Sequence, residues 1–265
     1  DDVAREAIRD LERVKFMVLA LKDILTTKES EIYEEGLEID YVHGTTSIEG
    51  NTIGRIETGW LLHNDIIPEN KTLREVNEIQ NFKNVARFRN SHKGKADIAF
   101  IKRLHMLIMN NIDIDGAGHF RRTDGIGIRG RDFMVTPCPM IEEELGEALG
   151  RYYTRIKAGH HPFIEAVQFH HTFERIHPFT DGNGRVGREV LNHMLVRSKY
   201  PRLLFVKERA LYLRALAMGD EGDHGKMVLT MIDLLVQQRM EVAERNLRSL
   251  SESRREQARM IDFGL

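Results

Sequence analysis

Apolar residues recur at intervals of three and four positions along most of the chain, a spacing typical of one face of an α-helix. The first such stripe consists of Val3, Ala7, Leu11, Val14, Val18, Leu21 and Leu25. The same spacing predicts further helices over 30–43, 54–64, 72–90, 98–112, 140–157, 163–175, 182–196, 208–219 and 225–250. The charged residues from Ser251 onward are predicted as a tail.

A glycine-rich segment interrupts this helical pattern before residue 140. It contains two short β-like runs, Ile126–Ile128 and Phe133–Val135, and the RGRD between them suits a hairpin turn. The sequence therefore predicts an all-α fold with one small β-hairpin at about 125–135.

Composition narrows the class of protein without identifying it. The chain has 265 residues, 41% of them apolar and 30% charged, which is enough for one sizeable domain with a small helical appendage. A net charge of −2 argues against a nucleic-acid coat or a protein bound to an anionic membrane. Cys138 is the single cysteine, and no apolar run approaches the length of a membrane span, so a cytoplasmic location is expected. The chain begins at Asp1 rather than Met, and we interpret it as a processed or trimmed piece.

The most unusual stretch is HPFTDGNGRVGR, residues 177–188, which leads into a predicted helix. Asp181, Gly182, Asn183 and Gly184 are typical of a tight turn, because glycine and asparagine tolerate positive φ angles. Such a turn directs successive backbone N–H groups into one concavity, and the start of a helix adds partial positive charge. The stretch therefore predicts an anion site.

Side chains around this turn extend the prediction to a polyphosphate. Arg185 and Arg188 lie three positions apart, near one helix face, and two guanidinium groups suit several phosphates. Asp181 could hold Mg²⁺ against those phosphates, because this ion takes few protein carboxylates. His177 is expected to titrate near neutral pH, as a general base requires. The alternative is an ordinary glycine-rich helix start with surface arginines.

A second HPF tripeptide, His161-Pro162-Phe163, precedes IEAVQFHH and has no glycine behind it. Proline is favourable at the start of a helix, because its missing N–H costs nothing there. Since no phosphate-binding turn follows, we interpret this tripeptide as structural.

The stretch 177–188 resembles the signature of the Fic family (filamentation induced by cAMP), H-P-F-x-[DE]-G-N-G-R-x-x-R. Every fixed position is matched, by His177, Pro178, Phe179, Asp181, Gly182, Asn183, Gly184, Arg185 and Arg188. The resemblance implies a Fic-fold helical bundle that transfers AMP from ATP to a Ser, Thr or Tyr hydroxyl of a protein and releases pyrophosphate. It also implies Mg²⁺ at Asp181, proton abstraction by His177, phosphate contacts from Gly182–Gly184, and both arginines on the β and γ phosphates.

The segment TTSIEGN, residues 45–51, is the other informative stretch. By itself it indicates an exposed turn or a helix end at Gly50, although Ile48 favours an inward carboxylate on the next residue. Many Fic proteins carry an inhibitory helix with the pattern [ST]-x-x-x-E-[GN], matched here by Thr45, Glu49 and Gly50 within about 44–51. The resemblance implies that Glu49 pairs with Arg188 as a brake, that it aligns water for removing AMP, or both.

Three further assignments follow. The resemblance implies that the hairpin at about 125–135 is a flap on which an extended target segment docks. It places Tyr212 near the adenine pocket, with aromatic core packing as the alternative.

His170 and His171 are adjacent, so they point about 100° apart on a helix, and we interpret both as structural rather than as metal ligands.

We therefore expect an N-terminal helical segment over 1–36, a Fic domain over 37–235, and a C-terminal helix and tail over 236–265. The expected function is Mg²⁺-dependent protein adenylyltransferase, inhibited by Glu49, with ATP and an unidentified protein as substrates. The alternatives are AMP removal through the same site, a nucleotide-sensing regulator that lacks its C-terminal DNA-binding module, and a metal phosphohydrolase. Self-modification and a homodimer are left open, and no membrane partner is expected.

Overall fold

The computed structural model describes residues 2–124, 128, 131, 133–205 and 209–262. Residues 260–262 are described by their backbone alone. The described part contains ten α-helices: α1 Asp2–Ile24, α2 Thr27–Ile48, α3 Arg55–Gly59, α4 Leu73–Ser91, α5 Ile98–Ile108, α6 Ile141–Lys157, α7 Pro162–Ile176, α8 Asn183–Arg197, α9 Arg209–Asp220 and α10 His224–Asp262. A π-helical turn, Trp60–Asn64, extends α3, and a 3-10 turn, Cys138–Met140, precedes α6. The predicted all-α class is confirmed.

The apolar stripe predicted for the first helix is buried along its middle. Leu11, Val14, Val18 and Leu21 are buried, and α1 packs against α10. Val3 is 63% exposed, so the apolar face ends short of the N-terminus of the helix.

The predicted break at GTTSIEGN is wrong, because α2 continues to Ile48. Gly44 is required by packing rather than by a turn: a Cβ there would lie 2.3 Å from the carbonyl oxygen of Leu204. Thr46 and Ser47 return their hydroxyls to backbone carbonyls four positions earlier, at 2.8 and 2.6 Å. These bonds satisfy polar groups inside a helix, so the polar composition does not end it.

The predicted tail also differs, since α10 runs on to Asp262. The sequence from 226 to 263 contains neither glycine nor proline and is rich in residues with high helix propensity. The expected domain boundaries at 36/37 and 235/236 fall inside the continuous helices α2 and α10.

The predicted hairpin lies partly outside the described residues, which exclude 125–127, 129–130 and 132. Within the described part, the N–H of Arg131 donates to the carbonyl of Ile128 at 3.0 Å, and Phe133–Val135 take no regular secondary structure. The side chain of Arg131 pairs with Asp220 at the end of α9, at 2.5 and 2.6 Å. This ion pair fixes Arg131 next to the end of α9.

Helices α7 and α8 form the centre of the fold. Helix α7 packs against α6 and α8, and α8 also contacts α5 and α2. Their buried side chains include Phe163, Phe173, Val186, Val190 and Leu191, and Phe179 of the loop between them is buried as well. Because both helices are held by the core, the short loop between them is also fixed in place.

Candidate active site

Helix α7 ends at His177, whose backbone is left-handed at φ 51° and ψ 60°. Its N–H donates to the carbonyl of Phe173 at 3.0 Å, and its own carbonyl accepts from Nε of the buried Arg121 at 2.8 Å. A left-handed conformation is uncommon outside glycine and redirects the chain at the end of a helix. The structure thus places the predicted base at a sharp turn between α7 and α8.

Asn183 closes the loop that follows. Its Oδ1 accepts from the N–H of Phe179 at 2.8 Å, and its Nδ2 donates to the carbonyl of the same residue at 2.7 Å. The residue is 3% exposed, and both polar atoms of its side chain are engaged in these bonds. What Asn183 offers to an anion is therefore its backbone N–H at the start of α8, where helices leave such groups unpaired.

Two glycines of the stretch are each required by a close approach. Gly182 has φ 81°, and a Cβ there would lie 2.8 Å from Sδ of Met109. A Cβ on Gly184 would lie 2.3 Å from Oε1 of Glu49. The bare backbone at the start of α8 is thus covered by a carboxylate from the end of α2, at the position where the sequence predicts phosphate.

Asp181 lies at the edge of this turn, with its side chain 42% exposed. Its Oδ2 accepts from Arg74 at 2.5 Å, and its Oδ1 lies 3.3 Å from Nη2 of Arg185. Burial raises the pKa of Asp181, but the hydrogen bond from Arg74 and the charge of Arg185 outweigh it, so the pKa is lowered. The carboxylate is therefore ionised at neutral pH.

Arg185 is buried beneath the turn, 1% exposed. Besides Asp181, its Nη1 lies 3.2 Å from Oε1 of Glu78 on α4. Its Nε and Nη1 make no hydrogen bond within the described residues. Buried donors without partners are costly, and a guanidinium with spare N–H groups suits a multiply charged oxyanion.

Arg188 is one turn further along α8 and is also 1% exposed. Its Nε donates to Oγ1 of Thr45 at 2.8 Å, and its Nη2 donates to the Thr45 carbonyl at 2.9 Å and to Oε1 of Glu49 at 2.5 Å. Burial lowers the pKa of Arg188, but Glu49 more than offsets this, and the pKa is raised. The structure brings together the two predicted motifs, which lie 139 positions apart.

Gly50 follows this contact and ends α2. It has φ 97°, and nothing lies within 4 Å of the place a Cβ would take. Its N–H donates to the carbonyl of Ser47 at 3.0 Å, which is typical of a helix C-terminus. Gly50 thus turns the chain away immediately after Glu49.

The imidazole of His177 is partly buried. Burial lowers its pKa to about 4, and the nearby carbonyl of Glu174 opposes this only in part. This value lies below the near-neutral titration expected from the sequence. The ring is therefore neutral at pH 7 and has a lone pair available to take a proton.

His105 on α5 belongs to the site, although the sequence analysis did not single it out. Its Nδ1 accepts from the N–H of Gly118 at 2.9 Å, so its Nε2 carries the hydrogen and donates to the carbonyl of Asp181 at 2.9 Å. The ring also stacks on Phe179, with centroids 3.7 Å apart. A lone histidine in a largely apolar helix was the signal that the sequence offered.

His170, His171 and Tyr212 lie behind Arg188. Nε2 of His170 lies 2.8 Å from the hydroxyl of Tyr212, while Nε2 of His171 lies 2.9 Å from Oδ1 of Asp220. Burial lowers the pKa of His170 to about 3. Tyr212 is 1% exposed, with the guanidinium of Arg188 5.5 Å from its ring centre, so its ring packs beneath the site in this structure.

Among the described residues, no group of three or more His, Cys, Asp or Glu side chains is arranged to hold a metal ion. In the same part of the chain, no helix is long and apolar enough to cross a membrane.

Residues 95–195 match the profile of the Fic/DOC family. Protein adenylyltransferase Fic of Drosophila ananassae is 30% identical over 191 residues, which cover 69% of this chain and 37% of the relative. Protein adenylyltransferase fic-1 of Caenorhabditis elegans is 31% identical over 189 residues, with the same two coverages. The chain therefore spans less than half the length of these curated relatives.

The fold is similar to solved structures as well. A fragment of Fic-1 from C. elegans superposes with a TM-score of 0.78 at 23% identity, covering 95% of this chain and 74% of that one. At this identity the likeness concerns the fold alone.

Proposed function

Because this chain belongs to the Fic/DOC family, we propose that it is a protein adenylyltransferase that transfers AMP from ATP to a protein hydroxyl. The observation that carries the proposal is the arrangement at the start of α8. The first N–H groups of α8, two buried arginines and a neutral histidine converge there, and a carboxylate lies at the expected phosphate position.

His177 would act as the general base. The oxygen of a Ser, Thr or Tyr hydroxyl attacks the α-phosphorus of ATP, the bond from that phosphorus to the bridging oxygen breaks, and pyrophosphate leaves. The hydroxyl proton passes to the imidazole, whose lowered pKa keeps it unprotonated at neutral pH. The left-handed backbone of His177, held by Arg121, turns the chain at the end of α7 toward the start of α8.

Phosphate binding would fall to the turn and its arginines. The N–H groups of Asn183 and Gly184 lie at the positive end of α8. Nε of Arg185 has no partner among the described residues, and Arg188 would release Glu49 to meet the γ-phosphate. Two fork-shaped guanidinium groups match the several oxygens of a triphosphate.

The residues present fit Mg²⁺ bound together with nucleotide. Asp181 is an ionised, partly exposed carboxylate beside the turn, and one carboxylate with phosphates and water is a usual ligand set for this ion. When bound, Mg²⁺ neutralises phosphate charge. Asp181 would have to release Arg74, whose guanidinium now lies 2.5 Å from its Oδ2.

Glu49 would hold the enzyme in an inhibited state. Its carboxylate pairs with the arginine needed by the γ-phosphate and lies against Gly184, where it adds negative charge to a phosphate site. ATP that binds beside it would have its α-phosphate misaligned for in-line attack. Thr45 supports this state by orienting Arg188 through its hydroxyl and its carbonyl.

The protein target would dock on the segment 125–135, part of which lies outside the described residues. Within it, Arg131 pairs with Asp220, which also accepts from Arg175 in the last turn of α7. An extended peptide held there would present its hydroxyl to His177.

Removal of AMP through the same site is the second candidate. It is favoured by the exposure of Glu49, whose side chain is 35% exposed while that of Arg188 is 1% exposed. A carboxylate that faces both water and the phosphate position can align a water for attack on a modified hydroxyl.

The deciding experiment is Glu49→Gly, assayed with labelled ATP for transfer to the chain itself and to lysate proteins. A charge-assisted contact is worth about 1.5–3 kcal/mol, so freeing Arg188 should raise transfer roughly tenfold to a hundredfold. Glu69→Gly, at an exposed glutamate before α4, is the matched control and should change nothing.

Further variants separate the alternatives. Arg188→Ala should not gain activity, and the double variant should resemble it, because both residues act through one contact. If wild type strips AMP from a pre-modified target and Glu49→Gly does not, removal is the main activity. Equal transfer by Glu49→Gly and wild type, with no removal by either, contradicts a regulatory Glu49.

A further inference from the structure

A basic groove of about 550 Å³ lies at the other end of α8, roughly 20 Å along the helix from the phosphate turn. The C-terminal parts of α1, α4 and α8, part of α2, the segment that follows α8, and Arg239 of α10 form its walls. Its cationic lining consists of Lys15, Lys22, Arg89, Lys93, Arg197, Lys199, Arg202 and Arg239. The function proposed above assigns no role to this groove.

The charges in the groove do not balance within the described residues. The eight cations face four carboxylates, which pair with Lys15, Lys22, Arg89 and Arg202. Lys93, Arg197, Lys199 and Arg239 have no carboxylate within 4.0 Å in that part of the chain. Three helix C-termini supply about half a negative charge each. An excess of two to three positive charges is left for a ligand.

Two of the guanidinium groups are packed into the floor with donors unused. Arg239 is 3% exposed, and its Nε has no hydrogen-bond partner within the described residues, although Nη2 donates to the hydroxyl of Tyr33 at 3.0 Å. Nε and Nη2 of Arg202 are likewise unpartnered there, and its guanidinium lies over the ring of Tyr41 at 4.2 Å. Buried donors of this kind are rare unless a ligand or water satisfies them.

Positive charge is concentrated in this groove, although placing cationic side chains close together and partly buried costs free energy. Burial, with Arg202 nearby, lowers the pKa of Arg239. Arg202 and Arg89 lower the pKa of Glu38 to about 2, although burial opposes this. Lys199 adopts φ 64° at the end of α8, a left-handed position that glycine usually takes. A lysine thus occupies a position at the rim of the groove where a glycine would be less strained.

We propose that this groove binds a small oligophosphate, a diphosphate or triphosphate group that is free or carried by a nucleotide. The volume is that of a small-molecule site, and the excess charge matches two or three phosphates. Arg197, Lys199 and Lys93 would contact the phosphates from the rim, and the charges of Arg202 and Arg239 in the floor would attract them.

Calorimetric titration with tripolyphosphate tests the proposal. Because Arg202 and Arg239 are packed, the test variant is the rim pair Arg197→Gln/Lys199→Gln, whose side chains lie at the surface rather than in the floor. Its matched control, Arg5→Gln/Arg248→Gln, removes the same charge from two exposed sites on α1 and α10. The rim variant should bind about tenfold to a hundredfold more weakly, while the control should bind like wild type.

Binding at the phosphate turn must be separated from binding in the groove. The titrations are therefore repeated with Arg185→Gln. A binding event that weakens in this variant belongs to the phosphate turn, because the substitution should leave the groove unaffected. Comparing pyrophosphate with adenosine diphosphate then distinguishes the two sources of phosphate: equal affinity indicates phosphate alone, and tighter nucleotide binding indicates a carried group. Equal tripolyphosphate affinity in the rim variant, the control and wild type overturns the proposal. Binding of duplex DNA or anionic vesicles but not of tripolyphosphate also overturns it.

Discussion

The two HPF tripeptides lie at opposite ends of α7, and their surroundings differ. His161 precedes the helix with φ −66° and ψ 117°, and its Nε2 lies 3.3 Å from the hydroxyl of Tyr200. His177 ends the helix in a left-handed conformation and leads into the turn before α8. The same three residues therefore start a helix at one end and build the candidate site at the other, because the chain that follows them differs.

The glycines near the two tripeptides repeat this contrast. Gly159 has φ 86°, and the place that a Cβ would take there has nothing within 4 Å. Gly182 has φ 81° and lies against Met109. Both need a left-handed backbone, but only Gly182 is also required by packing.

Two buried glutamates in the first and last turns of α7 differ as well. Glu165 pairs with Arg155, at 2.6 Å between its Oε2 and the Arg155 Nε. Oε1 of Glu174 has no hydrogen-bond partner within the described residues, and burial raises the pKa of this carboxyl to about 7. The end of α7 that carries the candidate site thus holds an unsatisfied acid, and the other end does not.

The largest expected effect is on transfer. In the Glu49→Gly background, His177→Ala should lower AMP transfer by about 10²–10⁴-fold while ATP affinity is largely kept, because a base contributes to rate rather than to ground-state binding. His161→Ala removes the same ring at the other end of α7 and should leave transfer unchanged. Rates of AMP transfer measured with labelled ATP test this prediction. Comparable rates for the two variants would contradict the role of His177 as general base.

The next effect is on stability and depends on pH. The pKa of Glu174 in the folded protein, about 7, is above the reference value of 4.5. The protonated carboxyl therefore contributes fully to the free energy of unfolding below pH 4.5, and this contribution is lost as the pH rises through 7. Glu174→Gln should therefore match wild type near pH 4 and exceed it at pH 8 by up to about 3 kcal/mol. Urea unfolding at both pH values measures this difference.

The control for that experiment lies at the other end of the helix. Glu165→Gln breaks the ion pair with Arg155, so the free energy of unfolding should fall at pH 8 instead of rising. The free energy of unfolding of Glu174→Gln is compared with that of wild type at each pH. If the difference is no larger at pH 8 than at pH 4, the inferred contrast between Glu174 and Glu165 is wrong.

The smallest effect distinguishes the glycines. Gly159→Ala should cost about 1–2 kcal/mol, the cost of a left-handed alanine. Gly182→Ala should cost about 1 kcal/mol more, because its Cβ would meet Sδ of Met109, a flexible side chain that can partly yield. Thermal unfolding of both variants provides the comparison, and equal losses would show that Met109 yields fully.

Most of the helices and the chemistry of the stretch 177–188 are readable from the amino-acid sequence. Helical periodicity and the φ angles available to glycine are local properties, so the turn before α8 and its arginines can be predicted without a fold. The pairing of Glu49 with Arg188 is predictable too, but through a resemblance rather than through the residues themselves.

How distant segments meet depends instead on the packing of the helices. Gly44 continues α2 because Leu204 lies against it, and the tautomer of His105 is set by Gly118 and Asp181. The basic groove draws on five helices, and no one of them indicates it alone. Such contacts join positions far apart in the chain, and packing overrides the local preferences that a sequence pattern records.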